Sequence, residues 1–414
     1  MSLVITLVDK LIFVVIDGLG DRRCKSLFGK TPLEAATTPF LDFFAKNGKV
    51  GLVDVVDPSI PPTSETGILS LLGYDVLKIK ISRGPLEALG VGIQLSDGLA
   101  FRTDFATFRD GIIIDRRAGR IREGIKELEK AINERVILED VNFVFKSTLA
   151  HRGVVIFYSE KFELSEYVSD TDPGKAGVPP KICKPLILGE SEIRTAKAVN
   201  EFVRKSHLVL NFHKVNLKRK AKGLLEANYL LLRGAGIGLP KVRKLPEVYK
   251  KFWNCIAGSP LEKGIARLVG MNVVDIPEAT GDVDTDLRAK VKALFDFFDE
   301  YDCFFLHIKG ADEAGHDGNC ELKKEMIEKI DGIFFSEIFS NVNLKKTILC
   351  VTADHATPCE LMRHSSDPVP ILVCGGKVKK DEIDNFSEKS CMKGGLGRLR
   401  GIDILGLLMR ELGK

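Results

Sequence analysis

Three apolar runs from opposite ends of the chain each lead into an acidic residue. LIFVVI runs into Asp17, DCFFLHIK at 302–309 leads to Asp312, and TILCVT at 347–352 leads to Asp354. Strands that are apolar on both faces are typical of a parallel sheet covered by helices. Ligands of such sheets bind beyond the carboxyl ends of the strands, so the three carboxylates are expected to converge. The pattern predicts an α/β fold with a long insertion between its first and last strands.

The sequence of the insertion differs in character from the flanking parts. Residues 86–233 alternate strand-like pieces (LAFRTDFATF, GVVIFYS) with helical patterns (REGIKELEKAINERV, SEIRTAKAVNEFVRKSHLVLN). This mixture is typical of an α+β module. We expect a discontinuous domain of residues 1–83 and 241–414, whose parallel-rich sheet is flanked by helices, and an inserted α+β domain of residues 84–240.

Two stretches rich in glycine and proline mark the ends of the insertion. They are Ser82-Arg83-Gly84-Pro85 and RGAGIGLP at 233–240, and both are predicted to be hinges. GAGIG is superficially similar to a phosphate loop, but its spacing departs from the dinucleotide fingerprint, which favours a hinge. A further strand of the buried, parallel type is expected at 369–374, where the sequence is VPILVC.

Composition restricts the classes of function. The chain of 414 residues is 44% hydrophobic and 29% charged, as in ordinary globular proteins, and its length suggests two domains. A net charge of +4 gives no case for nucleic acid or anionic membranes. The start lacks the basic leader of a signal peptide, and every apolar run is far shorter than the ~20 residues of a membrane span. We expect a cytoplasmic protein without nucleic-acid or membrane partners, and leave a homo-oligomer open.

Cysteine usage points to the same compartment. Nine cysteines occur, an odd number, and no two of them form a Cys-x-x-Cys pair. The expectation is therefore reduced thiols, buried as small hydrophobic side chains, rather than a disulfide framework.

Histidines are concentrated near the C-terminus beside aspartates. Only seven occur in the chain, and three of them are His316, His355 and His364. Asp312 and His316 are four residues apart and share one face of a helical turn. Imidazole and carboxylate together suit Mn²⁺, Zn²⁺ or Co²⁺. Asp17 alone is explained as well by a turn, but jointly these residues predict a metal site.

A candidate nucleophile lies in PPTSETG, where Ser64 precedes a helix predicted at 67–72. The alternative is a serine or threonine cap on that helix. The positive end of a helix stabilises incoming negative charge, and a bound cation can activate a serine hydroxyl. Taken alone, the pattern leaves both interpretations open.

These motifs taken in order are similar to those of a known family. VVIDGLGD, PPTSETG, KGADEAGHDG, TADHATP and RHSSDPVP resemble the alkaline phosphatase superfamily, and more closely the archaeal type of cofactor-independent phosphoglycerate mutase. RGPLEALGVGI, FRTDFAT, DRRAGRI, AGSPLEKGIARLVGM and GGLGRLRGIDIL extend the resemblance over nearly the whole chain. It implies an alkaline-phosphatase-like core and interconversion of 2- and 3-phosphoglycerate through a phosphoserine, a step of glycolysis and gluconeogenesis.

The resemblance also implies two divalent metal ions and no bisphosphoglycerate. One ion is expected at Asp312, His316 and His364, and the second at Asp17, Asp354, His355 and the hydroxyl of Ser64. Mn²⁺ is favoured, with Zn²⁺, Co²⁺ or Mg²⁺ as alternatives. Paired ions of this kind lie about 4 Å apart and hold the attacking and leaving oxygens of an in-line displacement.

Two further tasks are expected of the insertion, namely binding the glycerate carboxylate and moving a proton between its hydroxyls. Arginine suits the first task, and a carboxylate or imidazole suits the second. The candidates are His151, Arg152, Asp170 and Arg233 for substrate binding and Asp172 for catalysis. Surface, turn or capping roles are the alternative for each. Lys263 is expected to neutralise phosphoryl charge near Ser64, although a solvated helix lysine explains it equally well.

Two other classes of function compete with the mutase. A phosphatase, phosphonate hydrolase or phosphopentomutase of the same superfamily would use the same metal core, and only the insertion separates these activities. An insertion of about 150 residues with arginines in expected loops favours a closing lid. A non-catalytic, metal-stabilised binding protein is disfavoured by the complete ligand set and by Ser64.

Overall fold

The structure, a computed structural model, describes residues 9–95, 97–281 and 284–413. The chain divides into two compact units, with boundaries after Lys80 and after Lys241. The first unit combines the N-terminal and C-terminal segments, and the second is the continuous segment between them.

Within the described residues the strands are β1 Lys10–Ile16, β2 Gly48–Asp54, β3 Leu99–Arg109, β4 Ile112–Asp115, β5 Asn142–Ser147, β6 Arg152–Tyr158, β7 Tyr229–Ile237, β8 Trp253–Ile256, β9 Asn272–Val273, β10 Cys303–Ile308, β11 Thr347–Thr352, β12 Val369–Gly375 and β13 Gly397–Arg400. The α-helices are α1 Pro32–Ala35, α2 Pro39–Lys46, α3 Ser64–Leu71, α4 Arg83–Gly90, α5 Ile125–Arg135, α6 Glu190–Asn211, α7 Lys214–Ala221, α8 Leu245–Tyr249, α9 Pro260–Leu268, α10 Leu287–Asp296, α11 Ala311–His316, α12 Cys320–Lys329, α13 Ser336–Asn341, α14 Glu388–Cys391 and α15 Gly401–Leu412.

The first unit is built on a sheet whose eight described strands have the order β13-β2-β12-β11-β1-β10-β8-β9. β1 lies between β10 and β11 and is parallel to both, with Val14 opposite Leu306 and Val351. Residues Leu11 to Ile16 are completely buried, which explains why this strand is apolar at every position. The predicted α/β class with a parallel-rich sheet is confirmed.

One strand runs against the expected direction. β12 is antiparallel to both of its neighbours, β11 and β2. Its apolar sequence reflects burial, since six of its seven residues are buried. Burial on both faces produces the same apolar run in either orientation, so the sequence pattern could not reveal the direction.

The second unit has an antiparallel sheet in which β3 pairs with β6, β7 and β4, and β5 extends β6. Helix α6 packs its apolar side on this unit's core. The ring of Phe202 lies edge-on to Phe157 at 5.3 Å and to Phe143 at 4.8 Å between centroids. Strands and helices thus share one core, as in α+β folds.

The two stretches predicted as hinges lie beside the unit boundaries after Lys80 and Lys241, but helix and strand residues occupy much of both. Arg83, Gly84 and Pro85 begin α4, and residues 233–237 belong to β7, which pairs with β3. A Cβ atom on Gly84 would come within 2.3 Å of the carbonyl oxygen of Ala100. The glycine therefore permits close packing of a helix on a strand rather than bending, which is the other common use of this residue.

The prediction of reduced cysteines is wrong for one pair, because Cys24 and Cys320 form a disulfide. The cysteines with free thiols are buried, as predicted, namely Cys183, Cys255, Cys303, Cys350, Cys359, Cys374 and Cys391. The two bonded residues lie 296 positions apart in sequence, so their spacing carried no signal of the pairing. Among the described residues, no helix is both long enough and apolar enough to cross a membrane.

Candidate active site

Asp17 and Asp354 follow β1 and β11 at the carboxyl edge of the first unit's sheet. With His355 they form a completely buried group whose ligand atoms are close enough to hold one ion. The Nε2 atom of His355 lies 3.2 Å from Oδ1 of Asp17 and 3.6 Å from Oδ2 of Asp354. The backbone N–H of Gly18 donates to the other oxygen of Asp354 at 3.3 Å. We name this the inner group.

A second group consists of Asp312 and His316 on α11 and His364 in the segment before β12. Both histidine Nε2 atoms lie 3.5 Å from Oδ1 of Asp312. The side chains are partly accessible, from 14% exposed for Asp312 to 34% for His316. We name this the outer group. Asp312 and His316 share one helical turn, as the four-residue spacing predicted.

Hydrogen bonds fix the orientation of both imidazole rings of the outer group. Nδ1 of His316 lies 3.1 Å from the carbonyl oxygen of Met362, and Nδ1 of His364 lies 2.8 Å from that of Pro62. A carbonyl only accepts, so Nδ1 carries the proton in both rings. Nε2 of each ring then faces Asp312 in the outer group, the orientation in which a histidine binds a metal ion.

Thr357 joins the two groups. Its hydroxyl donates to Oδ1 of Asp312 at 2.7 Å and lies 3.0 Å from Nδ1 of His355, from which it accepts. The rings of His355 and His364 stack with centroids 3.6 Å apart. The inner and outer groups are therefore adjacent, and one hydroxyl holds a residue of each.

Ser64 is the first residue of α3 and is 6% exposed. Its Oγ lies 3.4 Å from Nε2 of His355. The helix cap is the neighbouring Thr63, whose side chain accepts from the backbone N–H of Thr66, so Ser64 is not needed as a cap. Gly67 allows α3 to approach the inner group, since a Cβ there would meet the carbonyl oxygen of Asp354 at 2.1 Å.

Lys309, which sequence reasoning did not single out, forms an ion pair with Oδ2 of Asp17 and lies 3.3 Å from Oε1 of Glu262. Burial raises the pKa of Asp17, but Lys309 and the nearby imidazoles outweigh burial and hold that pKa well below its usual value. Burial is likewise outweighed at Glu262, where Lys309 and His307 lower the pKa to about 2. Both carboxylates are ionised at neutral pH.

The carboxylates of the site raise the pKa of His355. Burial lowers the pKa of His355, but Asp354, Asp17 and Asp312 together raise it to about 9. His307, buried within β10, lies 3.4 Å from Asp354 through its Nε2 atom. A cation placed among these carboxylates would meet the same favourable potential that stabilises the imidazolium.

The residues present fit divalent cations. Oδ1 of Asp17 is completely buried, and no described donor is aligned with it as a hydrogen bond, even though an imidazole lies nearby. A buried carboxylate oxygen without a donor is costly unless a cation satisfies it. Carboxylates and neutral imidazoles are the donor set of Mn²⁺, Zn²⁺ and Co²⁺.

The predicted Lys263 lies apart from this ion-pair network. Its Nζ atom is 2.6 Å from Oδ1 of Asp275, and its side chain is 13% exposed. Lys309 is the lysine whose Nζ contacts Asp17. The signal for Lys309 was its position directly after β10, in the KGADEAGH motif.

The second unit contains a separate cluster of charged residues. Arg233 lies 2.5 Å from Oδ2 of Asp104 and 3.1 Å from Oδ2 of Asp172. Arg116 makes a bidentate contact with Asp172, at 2.9 Å and 2.5 Å. Nε2 of His151 lies 3.8 Å from Oδ1 of Asp104. Of the predicted residues, Asp172, Arg233 and His151 thus come together.

Asp170 and Arg152, also predicted to bind substrate, lie next to residues of this cluster or their chain neighbours. Oδ1 of Asp170 accepts the backbone N–H of Gly234 at 3.0 Å, and Arg152 begins β6 next to His151. Arg102, Asp104 and Arg116 were missed as individual residues. They lie in FRTDFAT and DRRAGRI, two of the stretches that carried the family resemblance.

Burial and charge set the protonation states of this cluster. Burial opposes ionisation of Asp104, but Arg102 and Arg233 lower its pKa far below the usual value. Burial is also outweighed at Asp172, where the hydrogen bond from Arg116 helps to lower the pKa. Burial lowers the pKa of His151 to about 3, against the attraction of Asp104, so the ring is neutral at pH 7.

Known proteins are similar in sequence to this chain over almost its full length. A family model described as 2,3-bisphosphoglycerate-independent phosphoglycerate mutase matches residues 45–216. A protein of the same description from Thermococcus gammatolerans is 45% identical over 400 residues, which make up 96% of this chain and 96% of that protein. The chain belongs to the 2,3-bisphosphoglycerate-independent phosphoglycerate mutase family.

Solved structures agree with this mutase family. The PH0037 protein from Pyrococcus horikoshii superposes with a TM-score of 0.81 at 37% identity, covering 98% of each chain. The cofactor-independent phosphoglycerate mutase from Thermoplasma acidophilum gives 0.63 at 33% identity, covering 98% of this chain and 100% of that one. The predicted family is confirmed.

The bridging role of Thr357 leads to a testable prediction for this mutase-family site. Thr357→Val keeps the shape of the side chain but removes the hydroxyl that orients Asp312 and His355. We expect divalent-ion affinity to fall about 10- to 100-fold, measured by Mn²⁺ titration calorimetry on metal-stripped protein.

Thr352→Val is the matched control, because that buried hydroxyl donates at 2.9 Å to the carbonyl oxygen of Pro370 instead. Equal Mn²⁺ affinities for the two variants would contradict the bridging role.

Proposed function

We propose that the chain interconverts 2-phosphoglycerate and 3-phosphoglycerate without bisphosphoglycerate, as a cytoplasmic enzyme of glycolysis and gluconeogenesis. The observation that carries the proposal is Ser64 at the start of α3, with Oγ beside His355 and next to two groups suited to divalent cations. The shared description of the relatives supports the same reaction.

Ser64 is the proposed nucleophile. Its oxygen attacks the phosphorus of bound phosphoglycerate, a new P–O bond forms to Oγ, and the bond to the glycerate oxygen breaks. The other hydroxyl of the same glycerate then attacks the phosphoserine, and Ser64 is regenerated. The buried position of the serine limits access of water during the interval.

We propose that two divalent ions, Mn²⁺ first among the candidates, bind at the outer group of Asp312, His316 and His364 and at the inner group of Asp17, Asp354 and His355 with Ser64. When bound, such ions supply Lewis-acid stabilisation of the phosphoryl oxygens and favour the ionised serine. Lys309 holds Asp17 in place and ionised, and Glu262 contacts the same lysine. Lys263 remains a candidate for contact with phosphoryl oxygens.

The insertion is proposed to bind the glycerate while the phosphoryl group is on the serine. Arg233, Arg116 and Arg152 are suited to a carboxylate, since a guanidinium makes two parallel hydrogen bonds to it. Asp170 is proposed to bind substrate beside Arg233, since its Oδ1 accepts the backbone N–H of Gly234 in β7. His151 is neutral, and its Nδ1 atom has no hydrogen-bond partner among the described residues, so the ring can hydrogen-bond to a glycerate hydroxyl.

Asp172 is proposed to take part in the proton transfer between the two hydroxyls. Its low pKa shows that the free site keeps it ionised, with Arg116 and Arg233 as partners. A substrate carboxylate that engages these arginines would weaken their hold on Asp172 and raise its basicity.

Arg233→Lys tests the binding cluster. The point charge of lysine cannot span Asp104 and Asp172 as the guanidinium does, so we expect kcat/KM for 3-phosphoglycerate to fall at least about tenfold. The share of turnover that releases free phosphate should rise as glycerate escapes. Steady-state assay of 2-phosphoglycerate and phosphate measures both.

Arg398→Lys is the control for that change, because Arg398 makes a similar bidentate pair with Asp54 on the exposed surface of the first unit. If the Arg233→Lys enzyme had the same kinetics as the control, the proposal that Arg233 binds substrate would be wrong.

A coupled assay tests the proposed reaction itself. Purified protein with Mn²⁺ and 3-phosphoglycerate is linked to enolase, and 2-phosphoglycerate and free phosphate are both followed, with and without added bisphosphoglycerate. We expect 2-phosphoglycerate at the same rate in both conditions. Stoichiometric free phosphate in place of 2-phosphoglycerate would identify a phosphatase and refute the proposal.

A further inference from the structure

Three cysteines lie on the three segments that carry the candidate metal ligands. Cys24 follows Asp17 by seven residues, Cys320 follows His316 by four, and Cys359 lies between His355 and His364. Their sulfur atoms lie within 4.8 Å of one another, although the residues come from distant parts of the sequence. None of the three sulfur atoms belongs to the inner or the outer group.

The cluster is a disulfide with a thiol beside it. Cys24 and Cys320 are bonded to each other, and Cys359 keeps a free thiol. Cys24 and Cys359 are 5% and 3% exposed, whereas Cys320 is only partly buried. A reductant would therefore reach the disulfide from the side of Cys320.

The disulfide holds the start of α12, and α12 is joined closely to α11. Cys320 is the first residue of α12, and the backbone N–H of Asn319 donates to the carbonyl oxygen of Ala314 on α11 at 2.9 Å. Asp312 and His316, two residues of the outer group, are on α11. The disulfide thus ties the helix that bears them to the segment leaving β1.

Lys323 makes a second connection between α12 and the segment after β1. Lys323, one turn along α12, is completely buried. Its Nζ donates to Oδ2 of Asp21 at 2.7 Å and to the carbonyl oxygen of Thr357 at 3.0 Å. Oδ2 of Asp21 also lies 3.2 Å from the sulfur of Cys359. These contacts do not depend on the disulfide, so its reduction should loosen α11 without unfolding the unit.

We propose that Cys24, Cys320 and Cys359 form a thiol–disulfide site in which reversible oxidation of Cys24 and Cys320 controls how firmly the outer group holds its cation. Reduction consumes two thiols of a dithiol reductant. The S–S bond breaks, Cys24 and Cys320 each gain a proton, and the reductant becomes a disulfide.

The two candidate metal groups should respond differently. Asp17, Asp354 and His355 are completely buried at the sheet edge, directly after β1 and β11. Two residues of the outer group, Asp312 and His316, lie on the six-residue helix α11, and all three of its side chains are partly exposed. Loss of the tie at Cys320 therefore affects the outer group and leaves the inner group unchanged.

The test is a Mn²⁺ titration of the metal-stripped full-length protein in two states. One sample is kept oxidised, and the other is reduced with dithiothreitol, which is then removed under anaerobic conditions. Binding is followed by calorimetry and by the electron paramagnetic resonance of free Mn²⁺, and peptide mass spectrometry confirms the state of the cysteines. We expect one of two binding steps to weaken about tenfold or more on reduction and the other to stay the same.

Cysteine variants distinguish reduction of the Cys24–Cys320 disulfide from other effects of dithiothreitol. A Cys24→Ser, Cys320→Ser double variant should bind Mn²⁺ like the reduced protein and should not respond to dithiothreitol. Cys391→Ser removes a buried free thiol elsewhere and should keep the full response. Should the double variant fail to fold, the comparison of oxidised and reduced native protein still decides.

Two results would overturn the proposal. One is identical Mn²⁺ binding by the oxidised and reduced proteins. The other is purified protein that carries Zn²⁺ on the three cysteines with no disulfide, which would make the cluster a structural metal site. Neither readout uses mutase activity, so failure here and failure of the proposed reaction can be told apart.

Discussion

Ser64→Ala should reduce mutase turnover by about three orders of magnitude or more, because the proposed route carries the phosphoryl group between the hydroxyls of glycerate on Ser64. Thr63 caps α3 and Ser64 does not, so the variant should keep its fold, with a change in unfolding free energy of about 1 kcal/mol or less. Turnover is measured by the coupled assay, and stability by thermal unfolding.

A matched control is available on the same helix. The hydroxyl of Ser70 donates to the carbonyl oxygen of Val55 at 2.5 Å, and Ser70→Ala removes it without touching the candidate nucleophile. We expect that variant to keep its kcat within a few-fold. Substantial turnover by Ser64→Ala, at a level near that of the control, would exclude the phosphoserine route.

Removal of divalent ions should stop the reaction just as completely. In the proposed mechanism, ions held by the inner and outer groups would supply Lewis-acid stabilisation of the phosphoryl oxygens. We expect protein stripped with a chelator to lose at least about 99.9% of its turnover. Added Mn²⁺ should restore turnover in the coupled assay.

A control must show that the loss of turnover after ion removal does not come from unfolding of the protein. Circular dichroism of the stripped protein should show intact helices and strands, because the sheet and its apolar core do not include the ligands. Replacement of Asp312 by asparagine should lower activity at limiting Mn²⁺, whereas Asp57→Asn, on an exposed turn, should not. Persistent turnover in a sample shown by elemental analysis to be free of metal would disprove the metal requirement.

Much of the first unit could be predicted because its signals are local. An apolar run followed by aspartate is sufficient to locate β1 and β11 and the residues after them, and Asp312 and His316 share one helical turn. The residues assigned to each metal by family resemblance are those that the structure groups together. Their role as ligands remains a prediction.

What escaped prediction depends on contacts between distant residues. Lys309 pairs with Asp17 across nearly 300 positions, and the Cys24–Cys320 bond spans a similar distance. The direction of β12 and the packing of Gly84 on Ala100 also follow from tertiary partners rather than from local sequence. Arg116 was missed for the same reason, because its ion pair with Asp172 joins residues 56 positions apart.

The most direct test of the account is whether phosphate resides on Ser64 during turnover. Protein with Mn²⁺ and 3-phosphoglycerate is quenched in acid within milliseconds, digested, and the peptide containing PPTSETG is examined by mass spectrometry. The account predicts phosphorylation at Ser64 that appears with substrate, disappears as substrate is removed, and is absent in Ser64→Ala. Active protein whose Ser64 never carries phosphate, or that carries it on another residue, would contradict it.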